Sequence, residues 1–337
     1  MRTLHIRCGS DIRDKLSAAG VAGDFLEVSD PVCQGPVSGG IDEAALREVR
    51  ASFVAGAYGP TPEAARRKLA AEAAGLDEAG AYDRLVLWFE HDSYDQTVLI
   101  RLLDRFAATP AQWLGRLFLI YIDRHPGIER FIGLGQLDAA QLAALAGGPE
   151  VRPVTEAQLA LGRAAWAAFR AADPMELARM ASDGTPALPL LAAALRRHLQ
   201  ELPWTRDGLS LAERLLLKAA AAVGEPRSGH DLFRAYQESE PLPFLGNIMI
   251  RPILLRLAAG PEPALTWAGE WDDAVRITAA GRRLLDGAAD WILLQADGGG
   301  IDRWVGGVHL APPAPWRWDE KAGAPVAAAS ASPTPRR

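Results

Sequence analysis

The stretch Leu85 to Gln96, LVLWFEHDSYDQ, constrains the fold more than any other part of the chain. An apolar run, Leu85 to Phe89, stops abruptly at Glu90, His91, Asp92, Asp95 and Gln96, and a second apolar run, Thr97 to Leu103, follows at helical spacing. An uninterrupted apolar run of this kind is a strand buried on both faces. The stretch therefore predicts a strand, a polar turn and a helix. In an open parallel sheet such a turn lies at the carboxyl edge of the strands, where ligands bind.

Other segments repeat the pattern. Leu4 to Arg7 reads as a strand, followed by Cys8-Gly9-Ser10-Asp11 and a helix from Ile12 to Ala19, with Ser10 as its N-cap. Phe25 to Val28 is a second strand, stopped by Ser29-Asp30-Pro31, so the chain opens as a βαβ unit. Helices are expected over 41–57, 61–74 and 138–146. Thr61 and Pro62 have the N-cap and N1 chemistry of the second of these. Leu117 to Ile122 is a further strand, ending in Asp123-Arg124-His125, and Phe131 to Gly135 is a short strand or loop.

These elements predict an α/β protein. Residues 1–150 form a three-layer, Rossmann-like domain with a mostly parallel sheet. Residues 151–205 are helical, with helices at 155–172, 174–182 and 187–201. In 206–319, helices at 210–223, 228–239 and 247–258 precede two strands, Leu265 to Trp267 and Val275 to Ile277, and a helix at 278–286. That is the order of a winged-helix-like α+β domain, here extended by a tryptophan-rich strap, Ile301 to Trp318. Ser210 and Glu213 make a capping box. The Ala/Pro/Ser-rich tail, 320–337, is expected to be disordered.

Bulk properties narrow the function classes. A net charge of -6 argues against non-specific nucleic-acid binding. Two cysteines, Cys8 and Cys33, in 337 residues make no disulfide framework, although one bridge between them is an open alternative. No apolar run approaches the length of a membrane span, and the N-terminus has no signal-peptide h-region. A soluble cytoplasmic bacterial protein is the expectation.

The segments LHIRCGSDI, EVSDP and GPV near the start, LVLWFEHDSYDQ, and IDRWVGGVHL with WRWD near the end resemble an uncharacterised bacterial family. That family is known only as a domain of unknown function, number eighteen thirty-five. The resemblance covers most of residues 1–319. It implies that these polar stretches belong together, and it implies no activity.

Four expected strands end in polar residues, and a parallel sheet would gather these ends into one cleft. The candidate catalytic residues are His91, Asp92, Asp95, Asp123 and His125. Candidate cofactor-binding residues are Gly9, Ser10, Glu27 and Asp30, where a Gly-Ser turn could present N–H groups to phosphate and an acid could accept from ribose. Asp11 would repel a phosphate there, and neither a full G-x-G-x-x-G nor a Walker lysine is present. The bland alternative is that these carboxylates cap helices. His91 and Asp95 share a helical face and, with Asp92, Asp123 and His125, suit a divalent metal, but no H-E-x-x-H spacing occurs. No G-x-S-x-G elbow supports a nucleophilic hydrolase, and Cys8 reads as a core residue.

In the winged-helix-like domain the expected reading helix carries only Arg251 and Arg256, and the wing carries Glu270, Asp272 and Asp273, the wrong sign for phosphate. Trp304, Trp316 and Trp318 could stack on a base or sugar, or pack back onto the domain. The leading expectation is a protein that binds a small polar ligand, nucleotide or phosphorylated, at the carboxyl edge. The alternatives are a non-enzymatic regulator contacting DNA or a protein partner, and a metal-dependent hydrolase. Whether the chain is an enzyme, and which cofactor it would use, stay open.

Overall fold

A computed structural model describes residues 1–222, 227–312 and 316–327. The chain divides into two compact units. The first comprises Met1–His198 with Leu242–Phe244, and the second comprises Leu199–Pro241 with the chain from Leu245 onward.

The first unit is mixed α/β. Its elements run β1 (Thr3–Arg7), α1 (Arg13–Ala18), β2 (Asp24–Glu27), α2 (Glu43–Tyr58), α3 (Pro62–Asp77), β3 (Arg84–Glu90), α4 (Ser93–Ala107), α5 (Pro110–Trp113), β4 (Leu117–Ile122), α6 (Ala139–Gly147), β5 (Arg152–Pro153), α7 (Glu156–Phe169), α8 (Met175–Asp183) and α9 (Leu191–Leu199). The five strands form one sheet in the order β2-β1-β3-β4-β5. The first four are parallel, and β5 joins antiparallel at the edge. This open, mostly parallel sheet is compatible with a Rossmann-like fold.

Period-2 geometry divides β3 between two faces. Val86 and Trp88 join Ile120, Ile12, Leu16, Leu134 and Leu142 in one core layer. Leu85, Leu87 and Phe89 project to the opposite face and are fully buried. The central strand is apolar on both sides for that reason. Helix starts follow cap chemistry: Asp42, Thr61, Asp92, Asp138 and Thr155 each accept a backbone N–H of the turn they open. No side chain caps α1. Ser10 is exposed and offers only its carbonyl, to Arg13 N–H at 3.1 Å, so the expected Ser10 cap is absent.

The second unit contains α10 (Leu211–Ala221), β6 (Arg227–Ser228), α11 (Gly229–Ser239), α12 (Asn247–Leu257), β7 (Leu265–Thr266), β8 (Ala274–Ile277), α13 (Ala279–Leu285) and α14 (Trp291–Leu294). Strands β6, β8 and β7 form a small antiparallel sheet in that order. Two hairpins follow, β9 (Arg303–Val305) with β10 (Val308–Leu310), and β11 (Trp316–Asp319) with β12 (Ala324–Ala327). The capping box is present: Ser210 Oγ accepts from Glu213 N–H, and a Glu213 carboxylate oxygen accepts from Ser210 N–H at 2.8 Å.

Several expectations need correction. The tryptophan-rich segment forms paired hairpins instead of an irregular strap, with Trp304 stacked on His309 across β9–β10 at 4.3 Å. The tail is ordered over Ala324–Ala327, because a backbone ladder to the aromatic strand β11 needs no apolar pattern in APVA. Residues 328–337 of that tail, and Val223 of the expected 210–223 helix, lie outside the described residues. Phe131 to Gly135 is a loop leading into a 3-10 turn at Leu134–Gln136. Cys8 and Cys33 are separate buried thiols, not a bridge. Among the described residues no helix is long and apolar enough to cross a membrane.

Candidate functional site

The chain leaves β1 toward β2 on one side and returns to β3 on the other, so the strand order reverses between β1 and β3. In open α/β sheets ligands bind outside the carboxyl ends of the strands at such a point. Arg7 closes β1 and Glu90 closes β3. The Arg7 guanidinium is buried, and it donates to Asp95 Oδ1 through Nη1, to Glu90 Oε1 through Nη2 at 3.0 Å, and to both carboxylate oxygens of Asp11 at 3.3 Å.

The turn after β3 fixes the acids around this cation. Asp92 sits at the N-cap of α4 and accepts from Tyr94 N–H and Asp95 N–H at 2.7 and 2.9 Å. Asp95, in the first turn, folds back so that Oδ1 accepts from Glu90 N–H at 3.1 Å. Gln96 donates to Glu90 O at 2.5 Å and accepts from the Tyr121 hydroxyl at 2.5 Å, tying the turn to β4. The second Glu90 oxygen accepts from Leu134 N–H at 2.5 Å. A Cβ at Gly133 would collide with the Glu90 carboxylate, so glycine lets the 131–137 loop close on it. Lys15 pins the same loop by donating to Gly135 O and Leu137 O at 2.6 and 2.8 Å.

Glu90, Asp92 and Asp95 are all buried, and one oxygen of each lies within 4.8 Å of the others. Among the described residues a single guanidinium, that of Arg7, faces this cluster together with the exposed Asp11. Burial and repulsion from neighbouring acids push the Asp92 and Asp95 carboxyls up against the pull of Arg7. Asp92 rises to about 7, through burial first and Glu90 second. Asp95 rises too, through burial first, with Glu90 and Asp92 opposing the Arg7 contribution. Ionisation of Asp92 and of Asp95 is thus disfavoured in this cluster. Two further buried polar atoms at this edge, Ser93 Oγ and His91 Nδ1, have no hydrogen-bond partner among the described residues. Burial lowers the His91 imidazole, while Glu90 and Asp123 pull the other way.

The remaining sequence candidates are spread along the edge. Gly9 takes a left-handed turn at φ 92°, ahead of the exposed Ser10. Asp123 is exposed, with Arg124 as its ion-pair partner at 3.4 Å. His125 Nδ1 lies 2.9 Å from its neighbour's carbonyl, Pro126 O. Glu27 is half-buried and engaged by Ser29, Lys68 and Arg13. Asp30 is buried between Arg50 and Arg101, each at 2.8 Å, and these arginines hold its carboxyl below the usual range despite burial. Asp92 and Asp95 therefore meet at one centre, and Asp123 reaches His91 only through its field.

Sequence reasoning missed Arg7, the counter-charge on which the cluster depends. Its signal was an arginine ending a strand whose residues are all buried. Glu72 was missed as well: it sits buried in the middle of α3, where its spacing reads as helix surface. Comparison of the chain with protein-family models and with curated proteins finds no match.

Proposed function

We propose that the crevice between the ends of β1 and β3 binds a small polar ligand through carboxylate acceptors. The observation that carries this reading is the convergence of Glu90, Asp92 and Asp95 at the point where the strand order reverses, with Arg7 as their one buried cation. Acids this concentrated favour a ligand that donates, such as a ribose, another polyol or an amine. A nucleotide would present its hydroxyls here and keep its phosphates away from Asp11. Asp92, titrating near 7, and the neutral His91 offer proton transfer to the same ligand. A metal-assisted reaction is the less favoured version, because Arg7 already donates to an oxygen of both Glu90 and Asp95.

The test is a thermal-shift screen with nucleosides, nucleotides, polyols, amines and Mg2+. A ligand at about 100 times its dissociation constant adds about 2.7 kcal/mol of stability. The expected hit is lost in both His91→Ala and Asp95→Asn. A hit that survives both substitutions would refute the reading, and a shift seen only with Mg2+ and reversed by chelator would replace it with the metal version.

A second reading concerns the second unit, whose helices α10, α11 and α12 and three-stranded antiparallel sheet we read as winged-helix-like. Arg251 donates to Gly269 O and Arg256 to Pro252 O, so α12 spends its arginines internally. The same helix exposes Ile248 and Leu255, 52% and 39% accessible and two turns apart. That surface suits a protein partner better than DNA. Retardation of DNA that is lost in Arg251→Ala/Arg256→Ala would reverse this preference.

A further inference from the structure

A cavity of about 370 Å3 opens on the flank of the first unit. It lies between the end of β2 and helices α2, α3, α4 and α7, and shares no lining residue with the acid cluster. Its volume falls within the range of small-molecule pockets. Val28, Leu69, Leu76 and Leu102 give it an apolar wall.

The charges on its lining are unevenly matched. Asp30 is saturated by Arg50 and Arg101, and Glu43 takes the other end of Arg101 at 3.2 Å. Arg105 is paired with Asp77. Arg47 and Arg163 also line the cavity, and among the described residues neither guanidinium makes a hydrogen bond or an ion pair. Asp104 feels the field of Arg163 without closing a contact with it.

One polar group at the cavity is only half used. Glu72 is 8% exposed, and a single oxygen accepts from both the N–H and the hydroxyl of Ser29, each at 3.2 Å. Among the described residues its other oxygen has no hydrogen-bond partner. Burial pushes this carboxyl up to about 7, with Asp30 adding to the shift. In its neutral form Glu72 is an O–H donor.

We propose that this cavity binds an organic anion with an apolar body. Its carboxylate or phosphate head is held by Arg47 and Arg163, and its body lies along Val28, Leu69, Leu76 and Leu102. Guanidinium forks match both kinds of head, and an uncharged analogue of the same body would forfeit them. Glu72 meets the head or a polar group beside it. This inference is independent of the ligand proposed at the sheet edge.

The experiment is calorimetric titration of the full chain, near neutral pH, with octanoate, octyl phosphate and 1-octanol. At least one anion is expected to bind saturably at one site, and the alcohol at least about tenfold more weakly, as befits lost hydrogen bonds to charged groups. The stronger of the two anions identifies the head. Arg47→Ala/Arg163→Ala reduces anion affinity by about tenfold or more and brings it to the level of the alcohol. Ala73→Phe fills the cavity and abolishes binding. Should that variant fail to fold, the double arginine variant decides alone. Asp95→Asn leaves octanoate binding unchanged, which separates this cavity from the sheet edge. Failure of both anions to bind, equal affinity for 1-octanol, or undiminished binding by the double variant would overturn the proposal.

Discussion

Asp30 and Asp95 look alike in the sequence and are opposites in the structure. Each follows a parallel strand, each is buried, and each contacts a buried arginine. Asp30 has two arginines, only one of them shared with a second acid, Glu43, and its carboxyl is lowered. Asp95 shares one arginine with Glu90 and Asp11, and its carboxyl is raised. Burial disfavours ionisation in both places, so the ratio of cations to acids decides the outcome. Asp30 is a completed structural pair. The cluster around Asp95 is short of positive charge, and that shortage, rather than the presence of acids, is what our proposal of a ligand there rests on.

The largest effect expected from this contrast is at Asp30. Asp30→Asn would leave the fully buried Arg50 without its counter-charge and should cost about 3–5 kcal/mol in denaturant unfolding at neutral pH. The pH dependence has a definite sign. A lowered carboxyl contributes stability that is present above its ordinary value and lost as pH falls through its folded value. Asp30 therefore supports the fold at neutral pH and releases it in acid. A loss below about 1 kcal/mol would show that the two arginines are satisfied without it, since they also reach Gln34 O, Pro31 O and Glu43.

This contrast explains what was legible from the sequence. The strand, turn and helix at 84–107 could be read because a strand buried on both faces leaves an unbroken apolar run, and because Asp92 caps locally. The pairing of Arg7 with Glu90 and Asp95 joins residues more than eighty positions apart, and no local pattern encodes it. The same limit hid the exclusion of Asp123. Its position after β4 fixes the sheet edge but not its side chain, which pairs outward with Arg124. β5 and the late hairpins are two to four residues long, too short to show a period. The closure of the 131–137 loop depends on Gly133 admitting the Glu90 carboxylate, a fit that exists only in three dimensions.

Glu72 sharpens the comparison, because among the described residues this buried acid has no arginine partner and only Ser29 donates to it. With its carboxyl raised from 4.5 to about 7, the sign is opposite to that at Asp30. Its contribution is fully present below about pH 4.5 and is lost as pH rises through about 7, a change of about 3 kcal/mol. Glu72→Gln keeps the shape and removes the titration. Unfolding free energies taken across that window should fall with pH in the parent and stay flatter in the variant. Equal slopes would place the proton elsewhere.

Asp92 separates two roles in one side chain. As an N-cap it accepts two backbone N–H groups, which an asparagine oxygen can also do. Asp92→Ala should therefore lose about 1 kcal/mol, while Asp92→Asn should lose almost none. If the two variants lost equally, the charge of Asp92 and not its cap would be what α4 requires.

The smallest effect is the most telling, and it belongs to Asp95. In Asp95→Asn the amide oxygen still accepts from Arg7 and from Glu90 N–H, while the new N–H2 faces the acids that the carboxylate repelled. One negative charge leaves a cluster that holds too many. Stability should change by no more than about 1 kcal/mol, with any gain largest at alkaline pH, where no proton relieves the repulsion. The identical substitution at Asp30 removes a charge that two arginines need. A loss at Asp95 as large as that at Asp30 would mean that Arg7 serves Asp95 alone, and that the sheet edge is a completed pair like its neighbour, with no charge shortage left for a ligand to answer.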